Sequence, residues 1–345
     1  MKTELSGAHA GLPEDRAGTP QPIDAVITWV DGADPKLKAK QAQYFTPNEA
    51  DDITSEGRFA DSNEIYYCIA AILKNAPFIN RIFIVTDDQT PAVIVQIRNA
   101  FGAATADRIT VVDHRDIFAG YEQYLPTFNS TSIETVLHRI PGLSDRYIYF
   151  NDDFIIAKPL SEDDFFVGNR PVLRGKWREE SSVAFNIRQR QRMLDGKWYL
   201  KAKLFSYKEY QLNAYKALGM KGRFFWHDHT PHPFYRPDLQ AFHDRSDALL
   251  RQNIQFRIRD GSQFDTMSLA NALDLQKGGS IIRKTQLTYL KPSSKTFQRF
   301  YVFRKRLSFE RRGNVFLCLQ ALNDAKPEAR QAIFDWLDQL IFGTA

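Results

Sequence analysis

In the first half of the chain, short unbroken apolar runs alternate with stretches of helical spacing. Ala25, Val26, Ile27 and Trp29, within IDAVITWVDGADP (Ile23–Pro35), read as a strand. Asp31-Gly32 then turns the chain, and a helix is expected from Pro35. Ile65, Ile69, Ile72 and Leu73 recur at i, i+4, i+7 and i+8. That stripe predicts a helix, capped by Asp61 or Ser62 and ended by Pro77. RIFIVTD (Arg81–Asp87) is the continuous apolar run of a strand covered on both faces. A helix near residues 91–101, a strand over Arg108–His114, a helix in STSIETVLHRI and a strand in RYIYFNDDFII continue the alternation.

Strands alternating with helices predict an α/β fold whose mostly parallel, Rossmann-like sheet is flanked by helices. From about residue 160 to 225 the pattern weakens into a mixed helical insertion, with KWYLKAKLFSYKEYQLNAYKAL as its helical part. The C-terminal region is helical, ending in PEARQAIFDWLDQLIF with Pro327 in its first turn. Residues 1–20 lack periodicity and read as a disordered tail. The expected organisation is one catalytic domain over 21–342. Residues 21–160 form its α/β half, and 161–342 form a second lobe.

The polar residues that interrupt these runs suggest chemistry. In parallel sheets ligands sit beyond the carboxyl ends of the strands. The expected strands end in Asp31, Asp87-Asp88, Asp113-His114 and Asn151-Asp152-Asp153. Asp152 and Asp153 interrupt an apolar run, which favours a divalent metal site over a solvated turn or a helix-capping pair. Mg²⁺ or Mn²⁺ held by hard oxygens, with substrate phosphates completing the shell, fits two adjacent carboxylates. HDHTPH supplies His227, His229 and His232 in a loop stiffened by Pro231 and Pro233. Phosphate or acid–base histidines come first, zinc second and exposed loop histidines third, because the spacing is not HExxH and no cysteine supports it. Arg257 and Arg259 precede a helix expected near Gln263. They suit bidentate phosphate binding, and a surface pairing with Asp260 or Asp265 is the plainer alternative. No glycine-rich phosphate loop and no GxSxG elbow occurs.

Composition narrows the setting. Aromatics make up 13% of the 345 residues and the formal net charge is +5, which is compatible with an anionic ligand. Only Cys68 and Cys318 occur, far apart, as in a reduced, cytoplasmic protein. No run reaches the roughly 20 apolar residues of a membrane span, so any contact with the inner membrane is expected to be peripheral. Residues 281–312 carry ten Lys or Arg against one acid, Glu310, interleaved with aromatics. Nucleic acid, anionic lipid or anionic polymer could bind there, as against a plain solvated helix face. No nucleic-acid signature accompanies the stretch, and no nucleic-acid partner is expected. Nothing in the sequence fixes an oligomeric state.

Several of these segments also carry a resemblance. IDAVITWVDGADP, the run from RFADSNEIYYC to DDQTP, VVDHRDIF and the run from LPTFNSTSIE to NDDFIIAKPL resemble the first two conserved regions of the Stealth proteins. HTPHPFYRPDL and FRIRDGSQFD resemble the third region, and CLQALND (Cys318–Asp324) is similar to the fourth. The likeness runs in order from about residue 23 to 342. It implies a hexose-1-phosphate transferase with a nucleotide-sugar donor, commonly UDP-GlcNAc, and an oligosaccharide or polysaccharide acceptor. It implies a divalent metal, a phosphodiester product and release of UMP, in capsule or cell-surface polysaccharide synthesis.

By that resemblance Asp152 and Asp153 hold the metal, with one of them as the alternative base. Arg259 and a loop histidine, His232 ahead of His229, stabilise the phosphoryl group. Trp29 and Asp31 line the nucleotide pocket, and Arg58, Asp61, Asn63 and Asn129 contact donor or acceptor. Asp324 is a further metal or acid–base candidate. Two rivals stand beside this reading. One is a metal-dependent glycosyltransferase with a GT-A-like sheet that releases UDP. The other is a non-catalytic binder of anionic polymer using residues 281–312.

Overall fold

The computed structural model describes residues 21–45, 63–183 and 207–343. Strand β1 (Ile23–Thr28) leads to α1 (Pro35–Ala42), and α2 (Glu64–Asn75) leads to β2 (Ile79–Thr86). Helices α3 (Val93–Phe101) and α4 (Ala103–Ala106) precede β3 (Ile109–Asp113). Helices α5 (His114–Ile117) and α6 (Ser130–Val136) precede β4 (Arg146–Asn151). The central sheet has the order β3-β2-β1-β4-β9, with β9 (His232–Tyr235) antiparallel to β4 and the other pairs parallel. The expected mostly parallel sheet is therefore present. The chain steps outward from β1 to β2 and β3, then returns to the other flank of β1 at β4. That reversal opens a crevice beyond the ends of β1 and β4, where such sheets bind ligands.

Both faces of the sheet are buried. Ala25 and Ile27 of β1, with Ile84 and Phe150, face a core closed by α2 and the C-terminal helix. Val26, Val85 and Tyr149 face a second core built with the later helices. Residues after 207 contribute to both cores, so the two halves of the chain pack as one body around the sheet.

RYIYFNDDFII is not one strand. β4 ends at Asn151, Asp152 and Asp153 form a turn, and β5 (Phe154–Ile156) begins at once in another sheet. That sheet has the order β11-β12-β5, from Leu287–Leu290, Phe316–Leu319 and β5. The strand β6 (Phe166–Val167) pairs with the long β7 (Arg170–Glu179), which also pairs with β8 (Arg223–His227) and β10 (Ile281–Arg283). Helices α7 (Tyr207–Ala217), α8 (Arg236–Arg245), α9 (Asp247–Ile254) and α10 (Thr266–Gln276) fill the second core. Helices α11 (Gln298–Arg312) and α12 (Pro327–Phe342) close the chain, the latter with Pro327 in its first turn as expected.

Three further expectations shift. Asn63, in a left-handed conformation, sits at the N-cap of α2, and Asp61 and Ser62 lie outside the described residues. His227 and His232 belong to strands rather than to a loop, because β8 pairs with β7 and β9 with β4, which leaves only residues 228–231 to connect the two sheets. The helix expected near Gln263 starts at Thr266, capped by Asp265. No described helix is long and apolar enough to cross a membrane.

Candidate active site

The crevice beyond β1 and β4 is built on Tyr149. Its hydroxyl lies 2.9 Å from Thr28 Oγ1, 2.6 Å from Asn151 Oδ1 and 3.1 Å from Glu134 Oε1. A phenol has one hydrogen to donate. With Asn151 taking it and the Thr28 hydroxyl able to donate back, the Glu134 contact is satisfied when that carboxyl carries a proton. Its surroundings favour this. Burial, followed by the charge of Asp265, raises Glu134 to about 8 against the opposing pull of Arg259. Glu134 lies on α6, whose first residue, Ser130, accepts a 2.7 Å hydrogen bond from Arg259 Nη2. The guanidinium of Arg259 is otherwise exposed.

The Asp152–Asp153 turn forms the next part of the rim. Asp153 Oδ2 accepts from Cys318 Sγ at 3.6 Å, and its Oδ1 is buried without a hydrogen-bond partner among the described residues. Burial raises the Asp153 carboxyl to about 7, with Glu64 adding to the rise. Pairing of β12 with β5 places Cys318 opposite Phe154 and fixes the turn from behind.

The histidines divide by depth. His227 is wholly buried and its Nε2 lies 2.8 Å from Asp265 Oδ2. Burial pushes the Asp265 carboxyl up, but His227 and the Ser268 N–H outweigh that and hold it below the usual range. His232 opens β9 opposite Tyr149, is buried against the His227 ring, and leaves its Nε2 without a partner among the described residues. His229 is the partly exposed one. Its ring stacks on Tyr207 at 5.0 Å and meets the edge of Phe154 at 6.3 Å and Tyr289 at 5.9 Å. Burial, then the charge of His227, lowers it to about 4. Tyr289 Oη in turn donates to Gln320 at 2.6 Å, and Gln320 neighbours Asp153.

The structure sets His229 against Phe154, beside the Asp152–Asp153 turn, buries His232 against His227, and places Arg259 where its charge acts on His229 and Glu134. Asp31 and Trp29 follow β1 on the same carboxyl-end rim. Asp31 is tied into its own turn, accepting from Ala33 N at 2.8 Å, while its backbone pairs with the Gln89 side chain. Trp29 is buried, and its backbone N–H donates to Val85. Asn129 caps α6 through Thr131 and donates to Phe256 and Gln263, so its amide is committed below the surface. Asn63 is exposed at the start of α2. Arg58 and Asp61 fall outside the described residues. Arg257 turns away, with its guanidinium 4.6 Å over the Tyr44 ring. Asp265, the plainer partner suggested for the arginines, belongs instead to His227.

The three-carboxylate metal set is not assembled. Asp324 is exposed and accepts from the neighbouring Asn323, and among the described residues no three His, Cys, Asp or Glu side chains are placed to share an ion. The Asp152–Asp153 pair still suits Mg²⁺ or Mn²⁺. The orphaned Asp153 Oδ1 is a hard oxygen lacking a partner, and Mg²⁺ commonly takes only one or two carboxylates beside substrate phosphates and water.

Sequence reasoning missed Glu134, Tyr149 and Tyr207. A glutamate four residues into a capped helix reads as a solvated face. Only Arg259, 125 positions later, marks it as part of a site.

Comparison with known proteins now adds to this geometry. Residues 21–44 match Stealth protein CR1, conserved region 1, and residues 58–172 match Stealth protein CR2, conserved region 2. A capsular polysaccharide phosphotransferase of Actinobacillus pleuropneumoniae is 45% identical over 150 residues, covering 43% of this chain and 39% of its own length. One from Neisseria meningitidis is 40% identical over 153 residues, covering 44% and 39%. The matched stretch is thus about two-fifths of these relatives. Among solved structures, the galactosyltransferase LgtC in complex with donor and acceptor sugar analogues covers 93% of this chain and 96% of its own, at 13% identity and a TM-score of 0.41, a likeness of outline only. The second conserved region contains Ser130, Glu134, Tyr149, Asp152 and Asp153, whereas the histidines and Arg259 lie beyond it.

Proposed function

We propose that this chain, which carries conserved regions 1 and 2 of the Stealth proteins, transfers a sugar 1-phosphate from a nucleotide sugar to a hydroxyl of an acceptor saccharide. The relatives named as capsular polysaccharide phosphotransferases support this reading. The observation that supports it is that the His229 ring meets Phe154, next to the Asp152–Asp153 turn, and feels the charge of Arg259, which joins segments up to 106 residues apart in sequence.

In this reading the donor is a UDP-sugar, with an N-acetylhexosamine as the expected sugar. The acceptor oxygen forms a bond to the phosphorus that bears the hexose. The bond from that phosphorus to the bridging oxygen breaks, and UMP leaves with the electron pair. The sugar keeps its anomeric oxygen, and the product is a phosphodiester. Such a transfer depends on in-line placement and charge neutralisation.

Arg259, anchored on Ser130, presents its remaining donors to the phosphoryl oxygens. His229 replaces His232 as the preferred imidazole, because His232 is packed out of reach. With its basicity depressed, His229 is neutral at pH 7 and can accept the proton of the acceptor hydroxyl. The negative charge of a bound diphosphate moves that basicity back towards neutrality. Glu134, carrying a proton, keeps Tyr149 and the Asn151 side chain in place. Mg²⁺ or Mn²⁺, when bound by Asp152 and Asp153, would neutralise diphosphate charge.

The test incubates the chain with a panel of nucleotide sugars, Mg²⁺ or Mn²⁺ and acceptor oligosaccharides. The expected result is UMP with a phosphodiester product. Release of UDP would identify a glycosyltransferase instead. Polymer binding with no turnover would leave only the non-catalytic reading.

A further inference from the structure

Away from the crevice, α11 presents a surface that the proposed reaction does not use. Val302 and Phe309 turn inward, towards the core shared with α12. Phe300, Phe303 and Leu307 project outward at i, i+3 and i+7, the spacing of one helical face. Phe297 joins them from the preceding residue. Their exposures are 78% for Phe297, 60% for Phe300, 56% for Phe303 and 49% for Leu307. Phe300 and Phe303 stack on each other at 6.5 Å. Beside them runs a groove of about 650 Å³ between the starts of α11 and α12, lined by Phe297, Phe300, Phe303, Lys326 and Ala329. A contiguous apolar stripe of this kind on a folded surface marks an interaction site.

The charges around the stripe specify its occupant. At 3.6 residues per turn, Arg304 and Arg311 fall along one margin and Arg299 and Arg306 along the other. Among the described residues, Arg299, Arg304, Arg311 and Arg312 have no carboxylate partner, and the one acid of the helix, Glu310, is held by Lys158 at 3.0 Å. We infer that α11 is an interfacial helix that docks this protein on an anionic lipid bilayer. Its phenylalanines and Leu307 enter the acyl boundary, and its arginines reach the headgroup phosphates. Amphipathic helices with bulky apolar residues between cationic margins bind such surfaces in proportion to buried apolar area and lipid charge.

A phosphodiester polymer would engage the arginines but has nothing to cover three phenylalanines and a leucine. A second copy of the chain would set these cationic margins against each other. Helix α11 also packs behind β11, with Tyr301 Oη 3.4 Å from the carbonyl of Tyr289, whose ring lies against His229. Docking would therefore hold the crevice at a fixed station near the bilayer.

The test is co-sedimentation of the full chain with vesicles. With about 30% phosphatidylglycerol in phosphatidylcholine, most of the protein should pellet, and roughly 0.5 M NaCl should release a large part of it. Pure phosphatidylcholine should retain far less. Phe300→Ser combined with Phe303→Ser should lower the bound fraction about tenfold, and Arg299→Glu combined with Arg304→Glu should do the same. Both pairs are exposed, so thermal unfolding should show the variants folded. Three results would overturn the inference. These are a wild type that stays in the supernatant, a serine pair that pellets like the wild type, and capture of soluble polyphosphate without capture of vesicles. A concentration-dependent dimer lost with the serine pair, in a protein that ignores vesicles, would assign the stripe to self-association instead. None of these readouts depends on turnover.

Discussion

Two places on the same rim of the central sheet carry the same local signal, an apolar strand ending in paired acids, and the fold treats them differently. At the ends of β2 and β3, Lys40 Nζ lies 2.9 Å from Asp87 Oδ1. Asp113 accepts from Asp88 N at 2.7 Å and Arg115 N at 2.8 Å, and closes a capping box with Asp116. At the end of β4, Asp153 meets a thiol on one oxygen and nothing on the other, with no cation paired to it among the described residues. In the first cluster Asp87 has Lys40 as its counter-charge, although its Oδ2 is also buried without a hydrogen-bond partner among the described residues, and Asp113 is spent on turns and caps. In the other, Asp153 has no cation beside it among the described residues, and burial raises its carboxyl to about 7, so near neutral pH it is partly protonated until a positive ligand arrives. The informative feature is therefore the missing counter-charge, and no stretch of four residues shows that.

The largest test of this contrast exchanges each acid for its amide. Asp153→Asn should cut transfer by about a thousandfold, the scale of losing one strong transition-state contact. It should also abolish Mn²⁺ binding measured by calorimetry, while thermal unfolding stays close to wild type because the amide matches the shape of a carboxyl that burial already holds partly protonated. Asp87→Asn should leave turnover within about twofold and reduce stability by about 1 kcal/mol, the scale of a partly exposed ion pair. If Asp87→Asn kills activity and Asp153→Asn does not, the two clusters have been assigned the wrong way round.

How far the sequence showed this contrast depends on the range of the contacts involved. Strands β1, β2 and β4 were legible because both of their faces are buried, so their apolar runs are unbroken. β7 was not, because its outer half (Lys176, Trp177, Arg178 and Glu179) is exposed and reads as charged loop. The break in RYIYFNDDFII was hidden because β5 takes its partner, β12, from about 160 residues downstream. The acid turn, the histidines and Arg259 were recognisable as motifs. The choice of His229 over His232 needed the long-range register of β9 on β4, which buries His232 opposite Tyr149. Glu134 needed Tyr149, Arg259 and Asp265 in space before its burial had a meaning.

A second test sharpens the comparison through pH. Glu134 rises from an ordinary carboxyl value near 4.5 to about 8 in the fold, chiefly by burial. The folded chain therefore binds this proton more tightly than the unfolded chain does. The stability it contributes is complete below about pH 4.5 and is lost as pH rises towards 8. Between those limits a single such group costs up to about 1.4 kcal/mol per pH unit. Denaturant unfolding of the wild type should show this decline together with that of Asp153, which rises to about 7, and Glu134→Gln should make it shallower, most clearly between about pH 7 and 8. The slope should persist in Asp87→Asn, whose lysine partner keeps that region out of the effect. An unchanged slope in Glu134→Gln would mean that Glu134 is ionised in the fold, and Tyr149 would then have to donate to it in place of Asn151.

The smallest expected effect lies in the spent cluster. Asp113 caps α5 with one carboxylate oxygen and steadies the Asp88 backbone with the other, so Asp113→Ala removes two backbone contacts from an exposed corner. Loss of a helix cap costs about 1 kcal/mol, and the partly exposed setting keeps the total near that figure. Turnover and metal affinity should match the wild type, because no charge at the end of β4 has changed. The informative measurement is Mn²⁺ affinity at low salt, where two acids on a shared rim would feel each other most strongly. An affinity lowered by Asp113→Ala would mean that the β3 end contributes field to the β4 end. The rim would then act as one electrostatic unit rather than two.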